Sequence, residues 1–219
     1  MTNVSATPAK IATRAHLFQI ALDALENEGW TPERIARSGK SSVRRITNGK
    51  ITKTVSIRTS QDTWIAFPRN AKDDGWATLA DVDYVVAATV DNRDNPHFAQ
   101  VHLIEGDEMR MRFDRAYAAR KKAGYTMPVG RGIWLSLYEK ESTQPVTLVG
   151  GGAGLDHPPI AKVPLVGPKS DEVLAQISEE LDPKDVELED APLTIREAKR
   201  RLALSLGVNE EDVTITINH

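Results

Sequence analysis

The sequence predicts an α/β or α+β fold, with one mixed central sheet flanked by helices and a small helix–strand appendage at the C-terminal end. Two observations carry this. Apolar residues recur at helical spacing in 11–29 and in 107–122, and short apolar or alternating runs bounded by turn residues lie between and after them. Helical and strand patterns interleaved in this way place helices against a sheet.

The first element is an amphipathic helix over 11–29, with Leu17, Ile20, Ala21, Ala24 and Leu25 on one stripe and Gly29 as its stop. Trp30-Thr-Pro-Glu33 reads as a turn or short helix start, with Thr31 as cap and Pro32 at the first helical position. A β-hairpin follows, with Asn48-Gly49 as a type I′ turn between Ser41–Thr47 and Ile51–Ser60. Gln61-Asp62 then turns the chain into Thr63–Phe67, expected to pair with the preceding strand and to leave Ser56, Arg58 and Ser60 on one face. The near-continuous apolar run Tyr84–Val90 predicts a strand covered on both faces, and Phe98–Ile104 predicts its neighbour. Asp107 is placed to cap a helix burying Met109, Phe113, Ala116 and Tyr117, and Ile133–Tyr138 reads as a later strand. The glycine run 149–155 and the proline-rich 156–166 read as a surface loop region. This divides the chain into a main domain (1–165), a helix and acidic linker (166–192) and a helix–strand appendage (193–219), which is too short to fold alone.

Composition excludes several classes. There is no cysteine, which removes thiolate nucleophiles, disulfides and cysteine-based metal sites. No run of about 18 apolar residues exists to span a bilayer, and the first ten residues lack a signal-like apolar core, so a cytoplasmic protein without membrane contact is expected. The net charge of −3 conceals a gradient. Residues 1–60 carry 10 Lys/Arg against 4 Asp/Glu, whereas residues 156–219 carry 7 against 14. A basic front end can attract phosphates because screening confines charge to about 8–10 Å.

A helix, a hairpin, a strand with alternating functional positions, a buried strand and a second helix resemble the core of the PD-(D/E)XK, or restriction-endonuclease-like, nuclease superfamily. In that family an Asp on one strand and a Glu/Asp-x-Lys triplet on the next hold a divalent metal and position the attacking water. Hard Mg²⁺ takes oxygen ligands, which is why carboxylates are needed. On this chain the triplet would fall at Ser56-Ile57-Arg58, with Ser56 in place of the acid and Arg58 in place of the lysine. The segment 44–54 contains no Asp or Glu, so the first acid is missing too. Serine is a poor metal ligand and arginine does not act as a base near neutral pH.

The resemblance therefore implies a degenerate nuclease-like core that binds nucleic acid, DNA in preference to RNA, without cleaving it and without a cofactor. Arg44, Arg45, Arg58, Arg112 and Arg115 are the expected phosphate contacts. A sheet-surface pairing of Arg58 with Asp62 is the alternative role for that residue. Two further functions stay open: a metal-dependent nuclease using Glu26, Asp81 and Asp83, and a non-enzymatic interaction protein docking a partner through 190–219.

The remaining motifs are weaker. Glu197-Ala-Lys199 lies in a helical pattern where i and i+2 do not share a face, and Asp182-Pro-Lys184 has proline where a central strand would be needed. Asp81, Asp83, Asp91, Asp94, His97 and His102 could assemble a metal site, but their spacing matches no ligand motif. Gly150–Gly154 could cradle a phosphate, though the Lys-Ser/Thr of a P-loop is absent and a flexible loop is the competing reading.

Overall fold

The computed structural model describes residues 8–35, 42–127, 130, 132–165 and 214 of the 219. Helix α1 (Pro8–Asn27) is followed by strands β1 (Thr31–Arg34), β2 (Val43–Asn48), β3 (Ile51–Ser60), β4 (Trp64–Pro68), β5 (Tyr84–Val90) and β6 (Phe98–Glu105). Helix α2 (Gly106–Lys122), β7 (Gly132–Ser136), a single 3-10 turn (Val146–Leu148), the short helix α3 (Ala153–Asp156) and β8 (Ala161–Pro164) complete it. Six strands form one mixed sheet in the order β1-β2-β3-β5-β6-β8, in which only β3 and β5 run parallel. β4 and β7 form a separate antiparallel ribbon. This is a mixed sheet with helices, as the sequence predicts. No described helix is long and apolar enough to cross a membrane.

Strand alternation sorts the core onto two faces. Val55 and Ile57 of β3, Val86, Ala88 and Val90 of β5, and Ala99 and Val101 of β6 meet the α1 stripe Leu17, Ile20, Ala21, Ala24 and Leu25. Val85, Ala87 and Ile104 face the other way, toward Ile65 and Phe67 of β4, Ile133 and Leu135 of β7, and Met109, Phe113 and Ala116 of α2. Phe67, Trp76 and Phe113 lock that second core edge to face, with ring centroids 5.1 and 5.2 Å apart.

Several local expectations are corrected. Thr31–Arg34 is an edge strand, because its backbone pairs with β2 from Thr31–Thr47 to Arg34–Arg44. The hairpin holds, but its two loop residues are Gly49-Lys50, with Gly49 at φ 59° and Asn48 still paired to Ile51. Glycine at the first loop position alone is the II′ pattern rather than I′. β4 does not pair with β3: its apolar residues Ile65 and Phe67 are drawn into the α2 core, so its partner is β7. Asp107 does not cap α2, whose N-cap is Glu105 without a side-chain bond; Asp107 instead pairs with Arg110 at 2.6 Å. Residues 149–166 are not all surface loop, since Gly150–Gly154 are buried and β8 completes the sheet. The expected helix at 170–181, the acidic linker and the 193–219 appendage lie outside the described residues.

Candidate nucleic-acid interface

Ser56 and Arg58, the outer positions of the triplet, lie where strand parity puts them, on the α2 side of β3, but that face is closed. Ser56 is fully buried, paired in register with Val43 and Val85. The Arg58 guanidinium stacks on Phe67, 4.3 Å from the ring centroid, and donates to the Thr78 hydroxyl. Thr78 itself has φ 61°, an unusual backbone region for a β-branched residue, and its hydroxyl donates to the Ala77 carbonyl at 2.7 Å. Asp62, the alternative partner for Arg58, pairs with Arg93 at 3.3 Å.

The other four arginines are dispersed. Arg44 points to the α1 side, 3% exposed, with its guanidinium 5.2 Å from the Phe18 ring. Arg45, next on the strand, points to the opposite side and is exposed. Arg112 is buried in α2 and donates to Glu108 at 2.8 Å, to the Gly151 carbonyl at 2.6 Å and to Asp156. Arg115 is half exposed and makes two bonds to the Glu141 carboxylate, at 3.3 and 3.0 Å. α2 thus carries Arg112 and Arg115 together, whereas Arg44, Arg45 and Arg58 are spread over both sides of the sheet.

Two of the carboxylates named as metal-ligand candidates, Asp83 and Asp91, are occupied with the backbone. Asp83 accepts from the Thr54 N–H at 2.7 Å and from Lys53 at 3.0 Å. The Thr54 bond, against a smaller effect of burial, holds this carboxyl below its usual range. Asp91 caps the N–H groups of His97 and Phe98 at 2.9 and 3.0 Å. Among the described residues no group of three His, Asp or Glu side chains could hold a metal ion.

The glycine run is a packing device. A Cβ at Gly150 would lie 2.5 Å from the Arg112 carbonyl oxygen, and one at Gly154 would lie 2.7 Å from the Tyr138 ring. Its N–H groups are spent: Gly150 donates to Glu141, Gly151 to Leu148, Gly152 to Ser136 and Gly154 to Leu137, all at 2.8–3.0 Å. No free donors remain at these four positions to cradle an anion.

Beneath that turn runs a polar chain that sequence reasoning missed. The His157 carbonyl can only accept, so His102 must present Nδ1–H to it at 2.7 Å, leaving Nε2 as an acceptor. Tyr138 therefore donates to Nε2 at 2.8 Å, and the Thr89 hydroxyl donates to Tyr138 at 3.0 Å. Burial lowers the His102 pKa and raises that of Tyr138, which keeps both neutral. The His157 ring meets Glu108 at 2.6 Å, joining this chain to Arg112. Burial alone would raise Glu108, but the bonds from Arg112 and His157 outweigh it and hold the carboxyl below its usual range. The only sequence signal was that Thr89 and His102 fall on inward positions of apolar strands.

What stays open is the β2–β3 hairpin. Arg45, Thr47, Thr52 and Thr54 share one of its faces, directly opposite each other as Arg45–Thr54 and Thr47–Thr52. At the tip, Lys50 is exposed and Ile51 is 56% exposed. Glu33 of β1 lies in register with Arg45, yet none of the ion pairs among the described residues uses Arg45 or Lys50. No protein-family model, curated protein or solved structure matches this chain.

Proposed function

We propose that this protein binds nucleic acid, DNA in preference to RNA, without cleaving it, and that the β2–β3 hairpin makes the contact. The observation that carries the reading is the hairpin's acid-free segment 44–54, on which Arg45 and Lys50 are exposed outside every ion pair among the described residues, Arg44 being buried and Lys53 paired with Asp83. A two-stranded ribbon fits a DNA groove, threonine hydroxyls bond phosphate, and an apolar tip residue such as Ile51 can wedge against a base step. Of the five expected arginines, Arg45 is offered directly to phosphate, and Arg115 can exchange Glu141 for it. Arg44, Arg58 and Arg112 serve by holding the scaffold.

The absence of cleavage follows from chemistry. Ser56 and Arg58 stand where the PD-(D/E)XK pattern has its metal-binding acid and lysine; Ser56 is fully buried and Arg58 is packed under Phe67 of β4 and Thr78. The antiparallel hairpin flanked by a parallel β5 supports the likeness to a restriction-endonuclease-like core.

The test is fluorescence anisotropy of a labelled duplex of about 20 base pairs at two salt concentrations, with Mg²⁺, followed by a gel. Binding that weakens with salt, a salt slope reduced by about 1 for each of Arg45→Glu and Lys50→Glu, and intact DNA are expected. Binding indifferent to both substitutions, or Mg²⁺-dependent shortening of the DNA, overturns the proposal.

A further inference from the structure

The acid-free hairpin holds the one asparagine of the chain that precedes a glycine, in Asn48-Gly49. Asparagine is thermolabile because the next backbone nitrogen can attack its side-chain carbon. That attack needs an unbonded nitrogen, an unclamped side chain and little bulk on the following residue. Both residues are exposed, the Asn48 side chain bonds no described residue, and the Gly49 N–H donates to none. Apart from chain neighbours no atom lies within 4 Å of where a Cβ on Gly49 would stand, and glycine has no Cβ of its own to hinder the approach. Turning the amide inward releases only the terminal pair of the ladder, Asn48–Ile51.

Each of the other described asparagines lacks one of these conditions. Behind Asn27 the Glu28 N–H is spent on the Ala24 carbonyl at 3.1 Å, and Asn95 is followed by Pro96, which has no N–H. The Asn70 side chain accepts from the N–H groups of Lys72 and Asp74, both at 3.2 Å, and donates to the Asp74 carboxylate at 2.6 Å. Asn92 accepts from the N–H groups of Asp94 and Asn95 at 2.9 and 3.1 Å. Reactivity is thereby concentrated at the tip that carries Lys50.

Resting on the nucleic-acid reading above, we propose that Asn48 is a site of spontaneous deamidation and that its product releases the hairpin from nucleic acid. The Gly49 nitrogen gives its proton to solvent and bonds Asn48 Cγ; the Cγ–Nδ2 bond breaks, ammonia leaves with a proton from solvent, and a five-membered imide remains. Water then opens the ring at either carbonyl to aspartate or isoaspartate, with nothing oxidised or reduced. Either product puts a carboxylate beside Lys50, in register with Ile51 and diagonal to Lys53, in a segment that has none. Isoaspartate also adds a backbone carbon, which spoils the match between the two-residue loop and the register of its strands.

The experiment ages the full chain in mildly alkaline buffer, locates the converted residues by peptide mapping, and measures anisotropy of the labelled duplex at intervals. Asn48 should convert ahead of Asn27, Asn70, Asn92 and Asn95, and saturating duplex should slow it. Duplex affinity should fall about fivefold or more as conversion completes, with a smaller salt slope. Unaged Asn48→Asp should show the same loss at an unchanged urea midpoint. Asn48→Gln, whose imide would be six-membered and closes far more slowly, should keep its starting affinity through the ageing. An Asn48 that stays intact, or converts no faster than the other four, overturns the modification. Conversion that leaves affinity unchanged, with Asn48→Asp binding as the wild type does, overturns the release and leaves the hairpin reading standing where Arg45→Glu still weakens binding. A fresh chain that binds no duplex overturns the nucleic-acid reading and the release together, while the peptide map still decides the modification.

Discussion

Beneath α1 the sheet meets Leu17, Ile20, Ala21, Ala24 and Leu25 with Ile46, Val55, Ile57, Val86 and Val101, and almost nothing polar intervenes apart from Arg44. Beneath α2 the same sheet meets Phe67, Trp76, Met109 and Phe113, with Ser56, Thr89, His102 and Arg112 buried on that side. The first face is held by area removed from water, which tolerates repacking. The second is held also by hydrogen bonds among Thr89, His102, Arg112 and their partners, which are costly to break singly because a buried polar group without its partner costs more than the bond contributes, while the Ser56 hydroxyl is left without one. The contrast teaches that the α2 face is the less forgiving half of the protein.

The largest effect is expected at Arg112. Arg112→Met leaves the Gly151 carbonyl unbonded and deprives Glu108 of its cation; breaking such a buried pair costs about 3 kcal/mol. Adding Glu108→Gln should return about 1 kcal/mol, since a neutral side chain no longer needs the partner. Urea unfolding measures both, and a loss under about 1 kcal/mol for the single variant would show that the two faces are held alike. On the apolar side, Leu25→Ala should cost a comparable but slightly smaller amount, about 2.5 kcal/mol by transfer and cavity terms, with no dependence on any second substitution across the sheet.

Gly154→Ala should cost about 2 kcal/mol although it only adds a methyl group. The new Cβ would lie 2.7 Å from Tyr138 Cε1, and the ring cannot swing aside without releasing the Thr89 and His102 bonds that hold its hydroxyl. Adding Tyr138→Leu should make the glycine substitution nearly neutral. If the penalty is unchanged, the collision with the Leu137 carbonyl at 3.0 Å is the cause instead.

The two faces also differ in how far the sequence exposes them. The α1 stripe, the doubly covered β5 and the hairpin are local patterns, readable within one window of residues. The polar chain is assembled from Thr89, His102, Tyr138 and His157, separated by up to 68 positions, and only pairing of β5 with β6 and docking of the glycine turn bring them together. β4 misleads for the same reason, since nothing local distinguishes a strand that returns on β3 from one that crosses to β7. Arg44 and Arg112 are cations in the sequence and structural groups in the fold; Glu108, one helical turn from Arg112, is a local partner, but Phe18 and Asp156 lie at distant positions.

The pH dependence of stability gives the finest distinction. On the α2 face burial holds the His102 pKa below the 6.5 of an ordinary histidine, so that it stays neutral. Below pH 6.5 the unfolded chain takes up a proton at this residue that the folded chain refuses, so acidification favours unfolding. The stability that neutral His102 supplies is complete above pH 6.5 and is lost as pH falls from there toward the depressed folded value, with a limiting slope of about 1.4 kcal/mol per pH unit. Glu108 and Asp83, whose folded pKa values are also lowered, act in the same direction but only as pH falls through the carboxylate range, so the two windows separate. Urea midpoints between pH 7.5 and 5.5 should therefore fall in the wild type. In His102→Gln, which keeps a donor and an acceptor but cannot titrate, that part of the decline should vanish while the drop below pH 4.5 remains. An unchanged decline in the variant would mean that His102 takes up its proton equally in the folded and unfolded chain, so that its neutral form is not held by the bonds to the His157 carbonyl and Tyr138.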